Sequence, residues 1–404
     1  MDEAGAFAGI KVIAVTRVIA APFAAYQLAL HGAEVITIEA PGEGDIYRYS
    51  GEPDQSLVKN AMGSGFLAQN SNKKSLTLNI AAPDGQEVMR KLVTDADVFI
   101  ENLRTGSMAR YGLAYDDLSK INPRLIYCSV TGYGQTGPKR RDPAMDMAIQ
   151  AASGMMSVTG TPESGPIKTS YPGVDYATGM SATMGILTAL IARQRTGRGQ
   201  HIDVSMLETA LVLMSSFVTD YVSGGTEHGL VGNGSGRGGY IHNAFKTAKG
   251  VLLIAASTEL RRSRLWKTLD MTDIHSDSRF ATPALCRQNV KELEAEVEKR
   301  LLARPAEEWE QLLQAAGVPA MTVRTIAEIV KHPQVTERDF FHTFEHDPQL
   351  GLAVTVPKTG YKLSDTPARL KSQPPRIGQH TEEILAGLGY SAADIARLRG
   401  SGTI

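Results

Sequence analysis

Cysteine is scarce in this sequence, and its scarcity excludes one class of scaffold. The 404 residues include two cysteines, Cys128 and Cys286, which lie far apart. Such a pair cannot form the disulfide framework that stabilises many small secreted proteins, and it fits a reducing, cytoplasmic compartment. The nine histidines show no paired spacing of the kind that metal sites use. We therefore expect neither a disulfide scaffold nor a metal enzyme.

An excess of charge of one sign is also missing. The 42 basic and 43 acidic residues give a formal net charge of -1. No basic face for nucleic acid stands out, so a polyanionic ligand would have to be met by a local basic cluster. The longest apolar stretch, residues 180–192, is too short and too mixed to span a bilayer. The first residues lack a basic start and an apolar run, so we expect no signal peptide.

The first two hundred residues alternate strand and helix patterns. Strands are predicted at residues 11–16, 35–39, 75–80, 97–100 and 125–131. Pro22 and Pro83 stand where two of the intervening helices could begin, because proline is tolerated in a first helical turn. Strand–helix alternation is typical of right-handed βαβ units, so we predict an α/β fold with a mostly parallel sheet.

A glycine-rich stretch interrupts the strand and helix patterns in the middle of the chain. Eight glycines fall in the segment from Gly224 to Gly239, and a chain of this length favours two domains. We predict that residues 1–220 form a large αβ domain and that residues 221–330 form a small domain with its linkers. The small domain should contain a strand pair near residues 245–256 and helices at residues 291–302 and 306–316. Residues 331–404 should return to the large domain, with extended segments and then a helix from Thr381.

A parallel αβ domain invites a dinucleotide-binding interpretation, but the first turn argues against it. That fold needs glycines after the first strand so that the backbone can approach a pyrophosphate. Residues 17–22 here contain no glycine. Glu39, at the end of the second strand, could imitate a ribose-binding acid, but without the glycine turn it does not carry the interpretation.

Several segments in order along nearly the whole chain resemble the class III, or CaiB/BaiF-like, CoA-transferases. Each motif is modest alone, and their order and spacing make the resemblance specific. The segments are residues 18–22, 32–39, 44–45, 70–76, 101–104, 110–112, 131–138, 172–179, 196–200 and 378–381, together with Arg48. Three positions depart from the family pattern, namely Ala21, Thr37 and Ala40.

The resemblance implies a fold and an activity. Members of that family have a large αβ domain built from both chain ends and a smaller central α+β domain, and two chains interlock as a homodimer. They move coenzyme A from an acyl-CoA donor to a free carboxylic acid. The resemblance thus implies acyl-CoA and a carboxylic acid as substrates, and neither a tightly bound cofactor nor a nucleic-acid or membrane partner.

The resemblance also implies that Asp175 is the covalent nucleophile, because residues 172–179 match the family's nucleophile segment. A carboxylate can attack a thioester to give an enzyme-bound anhydride, which keeps the thioester energy covalent. The residues alone leave another interpretation open. A helix is predicted over residues 176–195, and aspartate is a favoured N-cap.

Further site residues follow from the same match. Arg104 and Arg110 are expected to bind the phosphates of CoA, because arginine presents a planar, permanently charged fork; Lys73 is a weaker candidate. Val18, Leu78, Asn102 and Leu103 match positions that line the adenosine site. Asp146 is expected near the acyl group, and Gly236, Gly238 and Gly239 resemble a loop over the active site. Solvated helix faces, strand-end packing and a plain linker are the structural alternatives for these positions.

Two alternative functions stay open. The α-methylacyl-CoA racemases share the superfamily and use a histidine just before the acid matched by Asp146. Here that position is Met145, which cannot take a proton. The other alternative is a subunit of a heteromeric CoA-transferase, against which the retention of Asp175 argues.

Overall fold

The structure is a computed structural model that describes residues 5–52, 55–234, 240–347 and 352–404. The described residues separate into two compact units. The first contains described residues of Met1–Ser153, Thr169–Ser215 and Glu337–Ile404, and the second those of Gly154–Lys168 and Ser216–Thr336. Both chain ends therefore belong to the first unit. The domain boundaries drawn from the sequence stay a prediction.

The strands are numbered in chain order. They are β1 Lys11–Val15, β2 Glu34–Glu39, β3 Lys73–Thr77, β4 Val98–Glu101, β5 Ile126–Thr131, β6 Gly160–Thr161, β7 Gly165–Pro166, β8 His201–Ser205, β9 His242–Lys246, β10 Val251–Ala255, β11 Ala320–Thr322, β12 Phe341–Asp347 and β13 Leu352–Pro357.

The α-helices are numbered in the same way, and short 3-10 helices lie at Ile46–Tyr49, Met155–Val158 and Ile274–Ser276. The α-helices are α1 Ala20–Leu30, α2 Ser56–Lys59, α3 Ser64–Leu67, α4 Pro83–Val93, α5 Ser107–Arg110, α6 Tyr115–Ile121, α7 Asp146–Ala152, α8 Gly173–Thr196, α9 Met206–Leu213, α10 Ser215–Gly224, α11 Glu259–Thr268, α12 Pro283–Gln288, α13 Val290–Leu301, α14 Ala306–Ala315, α15 Ile326–Ile329, α16 Pro333–Thr336, α17 Thr381–Gly387 and α18 Ala392–Gly400.

A parallel sheet organises the first unit, which confirms the predicted α/β class. In the described part of the chain its six strands run in the order β3-β2-β1-β4-β5-β8. The order reverses between β1 and β4, and ligands of such sheets bind at the carboxyl ends of strands beside that reversal. Helices α1 and α8 cover one face, and α4, α6, α17 and α18 cover the other. Because both faces are covered, the central strands β1 and β4 are nearly continuous apolar runs without polar alternation.

The predicted elements agree closely with the observed ones, with three informative differences. The strand predicted at residues 75–80 is β3, Lys73–Thr77, because the chain turns away at Asn79, whose side chain accepts the Ala81 N–H at 3.1 Å. The helix predicted over residues 176–195 begins earlier, at Gly173. A second C-terminal helix, α18, follows α17 after a Ser391–Asp394 capping box. Both helices pack against the sheet of the first unit.

The second unit has its own core around a small antiparallel sheet. Among its described residues the strand order is β11-β10-β9. The core packs Leu252 and Ile254 of β10 against Trp309 of α14 and Val297 of α13. In the part of the chain that the structure describes, no helix combines the length and apolar character needed to cross a bilayer.

An ion pair is buried at the carboxyl end of β2. Arg48 Nε and Nη2 donate to the two carboxylate oxygens of Glu39, each at 2.7 Å, and the two side chains are 0% and 2% exposed. Arg48 also donates to the Pro375 carbonyl at 3.0 Å and lies 3.7 Å from the centre of the Phe66 ring. Glu39 additionally accepts from the Ser75 hydroxyl. The carboxylate of Glu39 is therefore engaged by hydrogen bonds within the fold and is not free to bind a ribose.

Removing one partner of this pair should destabilise the protein strongly. We expect Arg48→Met to lower the free energy of unfolding by about 3–5 kcal/mol, because it leaves a buried carboxylate without its cation. Urea denaturation followed by circular dichroism measures the change. Arg399→Met is the matched control, since Arg399 pairs with Glu382 on the surface, and it should cost less than about 1 kcal/mol. Equal stability of the two variants would contradict this assignment.

Candidate active site

A groove of about 500 Å³ lies at the carboxyl ends of β1, β2, β3 and β4. Its walls come from the strand ends and from the loops that follow them. The lining residues are Val15, Thr16, Arg17, Ile38, Glu39, Ala40, Pro41, Glu43, Leu78, Asn79, Ile80, Ala81, Leu103, Arg104, Ser107 and Tyr111. Because this is where the strand order reverses, the groove occupies the usual ligand position of an open parallel sheet.

The turn from β1 to α1 bends without glycine. Val18 has φ +69°, a left-handed conformation that costs a β-branched residue about 1–3 kcal/mol. The Val18 N–H donates to both carboxylate oxygens of Asp45, at 3.1 and 3.2 Å, and its carbonyl accepts from Gln69 Nε2 at 2.6 Å. Asp45 in turn donates its N–H to Glu39 at 3.1 Å. The buried ion pair and its neighbours thus hold the strained turn in place.

The structure brings three of the predicted CoA-binding residues to the groove. Leu78, Leu103 and Arg104 line it. Asn102 lies one residue before Leu103, and its amide bonds both the N–H and the carbonyl of Arg17, at 2.9 and 2.8 Å. Its observed contacts fix the β1–α1 turn. Val18 is the apex of that turn and is outside the groove lining.

The two remaining basic residues of that set have other surroundings. Lys73 is fully buried, and its ammonium donates to the Pro22 carbonyl and to Asn70 Oδ1, both at 2.8 Å. Burial lowers its pKa to about 7. It does not reach the groove, because its side chain points into the protein, and we remove it from the phosphate-binding set. Arg110 is exposed, one helical turn from the lining, and donates to Ser107 Oγ at 3.2 Å.

Arg17 is a groove residue that the sequence analysis did not select. Arg17 is exposed and lines the groove together with the exposed Arg104. Among the described residues neither side chain has a hydrogen-bond or ion-pair partner. The signal was present in the sequence, since an arginine directly after the first strand must lie at the carboxyl edge of the sheet.

Asp175 lies in the first turn of α8, not at its cap. The helix begins at Gly173 with Pro172 in the N-cap position, so the N-cap interpretation of Asp175 is wrong. Close packing fixes this helix against α1, because a side chain at Gly179 would come within 2.6 Å of the Ala20 carbonyl oxygen. The ring of Tyr176 meets that of Phe23 edge to face at 5.1 Å. The start of α8 is thus held beside the start of α1, next to the Val18 turn.

Asp146 supplies the cap that the chain lacks at Pro172. Its Oδ2 accepts the N–H groups of Val174 and Asp175, at 2.8 and 3.0 Å. Its Oδ1 accepts from Gln150 Nε2, and Gln150 Oε1 accepts the Thr169 N–H at 2.9 Å. Two of the sequence-predicted acids therefore lie together at one helix start.

Burial raises the pKa of Asp175 to about 7, and the nearby Asp146 carboxylate contributes to the rise. A helix N-terminus ordinarily favours the ionised form of an acid. Here the leading amides are bonded to Asp146. The half-buried Tyr47 belongs to the same surroundings, because burial and the neighbouring Tyr176 and Asp175 raise its pKa to about 12. An acid whose pKa is shifted this far by burial and by a neighbouring charge is typical of a functional site.

The remaining predicted site residues are Gly236, Gly238 and Gly239, which lie outside the described residues. Across the described part of the chain, no group of three or more His, Cys, Asp or Glu side chains is arranged to hold a metal ion.

Comparison with known proteins identifies the family of the chain. The model of the CoA-transferase family III matches residues 7–381. The chain belongs to this family. Family members similar to it include the succinyl-CoA:glutarate CoA-transferase of Mus musculus, 33% identical over 98% of this chain and 89% of the relative. Another is the succinate–glutarate CoA-transferase of Agrobacterium fabrum, 34% identical over 94% of this chain and 95% of the relative.

Solved structures of the family share the fold. The crystal structure of a CaiB/BaiF family protein from Brucella suis superposes with a TM-score of 0.85 at 33% identity, covering 95% of this chain and 99% of that one. The protein is therefore a CoA-transferase of family III, and CoA thioesters are substrates of such enzymes.

The raised pKa of Asp175 predicts a pH-dependent difference in stability. Folding favours the protonated carboxyl, so this contribution is full below the ordinary pKa of 3.8 and is lost as the pH rises towards about 7. The melting temperature of wild type should therefore fall between pH 5 and pH 8 relative to that of Asp175→Asn, whose side chain never ionises. Differential scanning calorimetry measures it. Asp273→Asn, at an exposed position, is the control, and an equal pH dependence in both variants would contradict the assignment.

Proposed function

We propose that this enzyme moves CoA from an acyl-CoA donor to a free carboxylic acid through covalent intermediates on Asp175. The observation that supports this role best is the surroundings of that side chain. It is a desolvated acid at a helix start, beside a second acid that is fixed by hydrogen bonds. A partly dry site protects an acyl anhydride from water.

The proposed reaction balances without an external base or oxidant. An Asp175 oxygen attacks the thioester carbonyl carbon, the carbon–sulfur bond breaks, and CoA leaves as the thiolate. The thiolate attacks the aspartyl carbonyl of the mixed anhydride, which forms an aspartyl-CoA thioester and releases the donor acid as a carboxylate. The acceptor carboxylate then attacks this thioester, and the expelled thiolate attacks the acceptor carbonyl. The new acyl-CoA leaves, and the Asp175 carboxylate is restored.

Burial raises the basicity of this nucleophile. A carboxylate with a pKa near 7 is a stronger base than one near 4, and nucleophilic strength rises with basicity within one class of atom. The acid is also partly protonated near neutral pH. We therefore place the acid limb of the reaction's pH profile near the pKa of Asp175.

The groove is the proposed site for the nucleotide part of CoA. Leu78 and Leu103 offer apolar walls, and Arg17 and Arg104 offer two unpaired guanidinium groups in the described part of the site. Planar arginine forks bind phosphate well. Arg110 donates to Ser107, which lines the groove, and can add charge at the edge of the groove.

We propose the acyl group of the donor and the acceptor acid from the names of two relatives. Those in mouse and Agrobacterium fabrum are named for succinyl or succinate and for glutarate. We take succinyl-CoA as the donor and glutarate as the acceptor to be tested first. The racemase alternative has no support at the site, because Met145 is the exposed N-cap of α7 and carries no titratable group.

A homodimer with interlocked chains remains our proposal for the assembly. Met180, Met184 and Ile191 of α8 are 57%, 65% and 63% exposed in the single chain. An apolar stripe of this kind on a helix favours a protein partner.

Asp175→Ala and Asp175→Asn should abolish transfer, because neither side chain can form an anhydride. The assay is conversion of succinyl-CoA and glutarate to glutaryl-CoA, read by mass. In wild type, succinyl-CoA without acceptor should charge the enzyme, and hydroxylamine should convert the aspartyl thioester to a hydroxamate and inactivate it. Peptide mapping should find the change between Thr169 and Arg193. More than a few per cent of wild-type turnover in either variant, or modification elsewhere, would refute the role of Asp175.

Arg17→Met and Arg104→Met should each weaken acyl-CoA binding about ten- to a hundredfold. A charge-assisted hydrogen bond is worth about 1.5–3 kcal/mol, and about 1.4 kcal/mol corresponds to a factor of ten. Calorimetric titration of CoA at two salt concentrations measures the loss. Arg399→Met, on α18, is the control and should bind like wild type. If all three variants bind alike, the phosphates lie elsewhere.

A further inference from the structure

Gln150 is a buried side chain at the active site that the proposed reaction does not use. It lies on α7 and is 1% exposed. Both ends of its amide are bonded, with Nε2 donating to Asp146 and Oε1 accepting the Thr169 N–H at 2.9 Å. A buried amide costs free energy unless both ends are satisfied. Here both partners belong to the surroundings of Asp175.

These two partners control where α8 begins. Thr169 is the residue at which the chain re-enters the first unit, four residues before Gly173. Asp146 accepts the N–H groups of Val174 and Asp175. Gln150 therefore joins the segment that leads into α8 to the acid that caps it.

The chemistry of these contacts selects an amide. Thr169 offers an N–H and needs an acceptor, whereas the Asp146 carboxylate needs a donor. Among side chains of this length, the glutamine amide provides one of each at neutral pH, whereas an ionised glutamate provides acceptors alone. A glutamate would keep the Thr169 bond and place a second negative charge against Asp146.

We infer that Gln150 is a positioning residue, which acts through Asp146 to set the orientation and the charge state of Asp175. The inference rests on the proposed role of Asp175 as nucleophile. The carboxylate of Asp146 stays against the first amides of α8 because Gln150 holds its other oxygen. A nucleophile needs this kind of support from the residues behind it, since small displacements of the reacting group reduce the rate.

The charged and titratable groups that face Asp175 are few in the described structure. Asp146 faces it from α7, Tyr47 from the 3-10 helix Ile46–Tyr49, and Tyr176 follows it on α8. Asp45, which bonds the Val18 turn, acts on the same Tyr47. A change of charge at position 150 therefore reaches Asp175 mainly through Asp146.

The decisive experiment compares Gln150→Glu with a double variant that exchanges the two groups, Asp146→Asn with Gln150→Glu. Gln150→Glu should lower kcat at pH 7 at least tenfold and move the acid limb of the kcat/KM profile to higher pH, because it adds a negative charge. The KM for succinyl-CoA should stay within twofold, since the groove is built by other residues. A purely structural role would lower the melting temperature without moving the acid limb.

The double variant tests whether activity returns when the hydrogen bonds are restored. The asparagine amide introduced at position 146 can donate to the new carboxylate at position 150, and its oxygen can still accept the amides of α8. The new carboxylate can in turn accept the Thr169 N–H. All the hydrogen bonds return, and the negative charge moves away from Asp175 to position 150. We expect at least a fivefold recovery of kcat over Gln150→Glu and an acid limb at or below that of wild type. If Gln150→Glu does not fold, the double variant must still fold and transfer CoA.

Two results would overturn the inference. One is a Gln150→Glu variant with the rate and the acid limb of wild type. The other is a double variant that is no faster than Gln150→Glu. If Gln150→Glu does not fold, an inactive double variant would have the same meaning. Gln288→Glu, at an exposed position of the second unit, is the matched control for the charge change. Asp175→Ala is assayed alongside. If it transfers CoA, the proposed nucleophile is wrong, whereas an inactive Asp175→Ala beside a normal Gln150→Glu removes the role of Gln150 alone.

Discussion

The ion pair between Arg48 and Glu39 is the interaction on which the wall of the groove depends. Burying two charges is costly unless their geometry is good and their remaining donors and acceptors are satisfied. Both conditions hold, because the contact is bidentate and further bonds come from Ser75, Pro375 and the N–H of Asp45. These partners come from separate parts of the chain. The pair therefore joins the end of β2 to the loop after it, to β3 and to the C-terminal segment.

The strained turn after β1 is a direct consequence of that network. A parallel αβ sheet that binds a dinucleotide ordinarily places glycine where the first strand gives way to the first helix. Here Val18 takes the left-handed conformation, and Asp45 and Gln69 hold its backbone from both sides. The groove thereby gains the side chain of Arg17 at a place where a dinucleotide-binding protein presents bare backbone. This difference agrees with our proposal that the groove binds CoA and not a dinucleotide.

The sequence predicted the parallel sheet well because buried β-branched runs and proline-marked helix starts are local signals. Helix α4, for instance, begins at Pro83 as predicted. What local patterns did not reveal were contacts between distant parts of the chain. Lys73 seemed a phosphate ligand, but its ammonium is bonded to the carbonyl of Pro22 and to Asn70. The early start of α8 was missed because its cap, Asp146, stands 27 residues before Gly173 and not at the helix itself.

Long-range capping also explains the charge behaviour of the site. An acid in the first turn of a 24-residue helix should be stabilised in its ionised form by the amides and the helix dipole. Asp146 occupies the amides of Val174 and Asp175 and adds a negative charge of its own. Asp175 thus experiences burial and repulsion without that compensation, and its pKa rises to about 7. A basic carboxylate suits the attack on a thioester carbonyl that we propose for Asp175, and the fold obtains it by assigning the helix amides to a neighbouring acid.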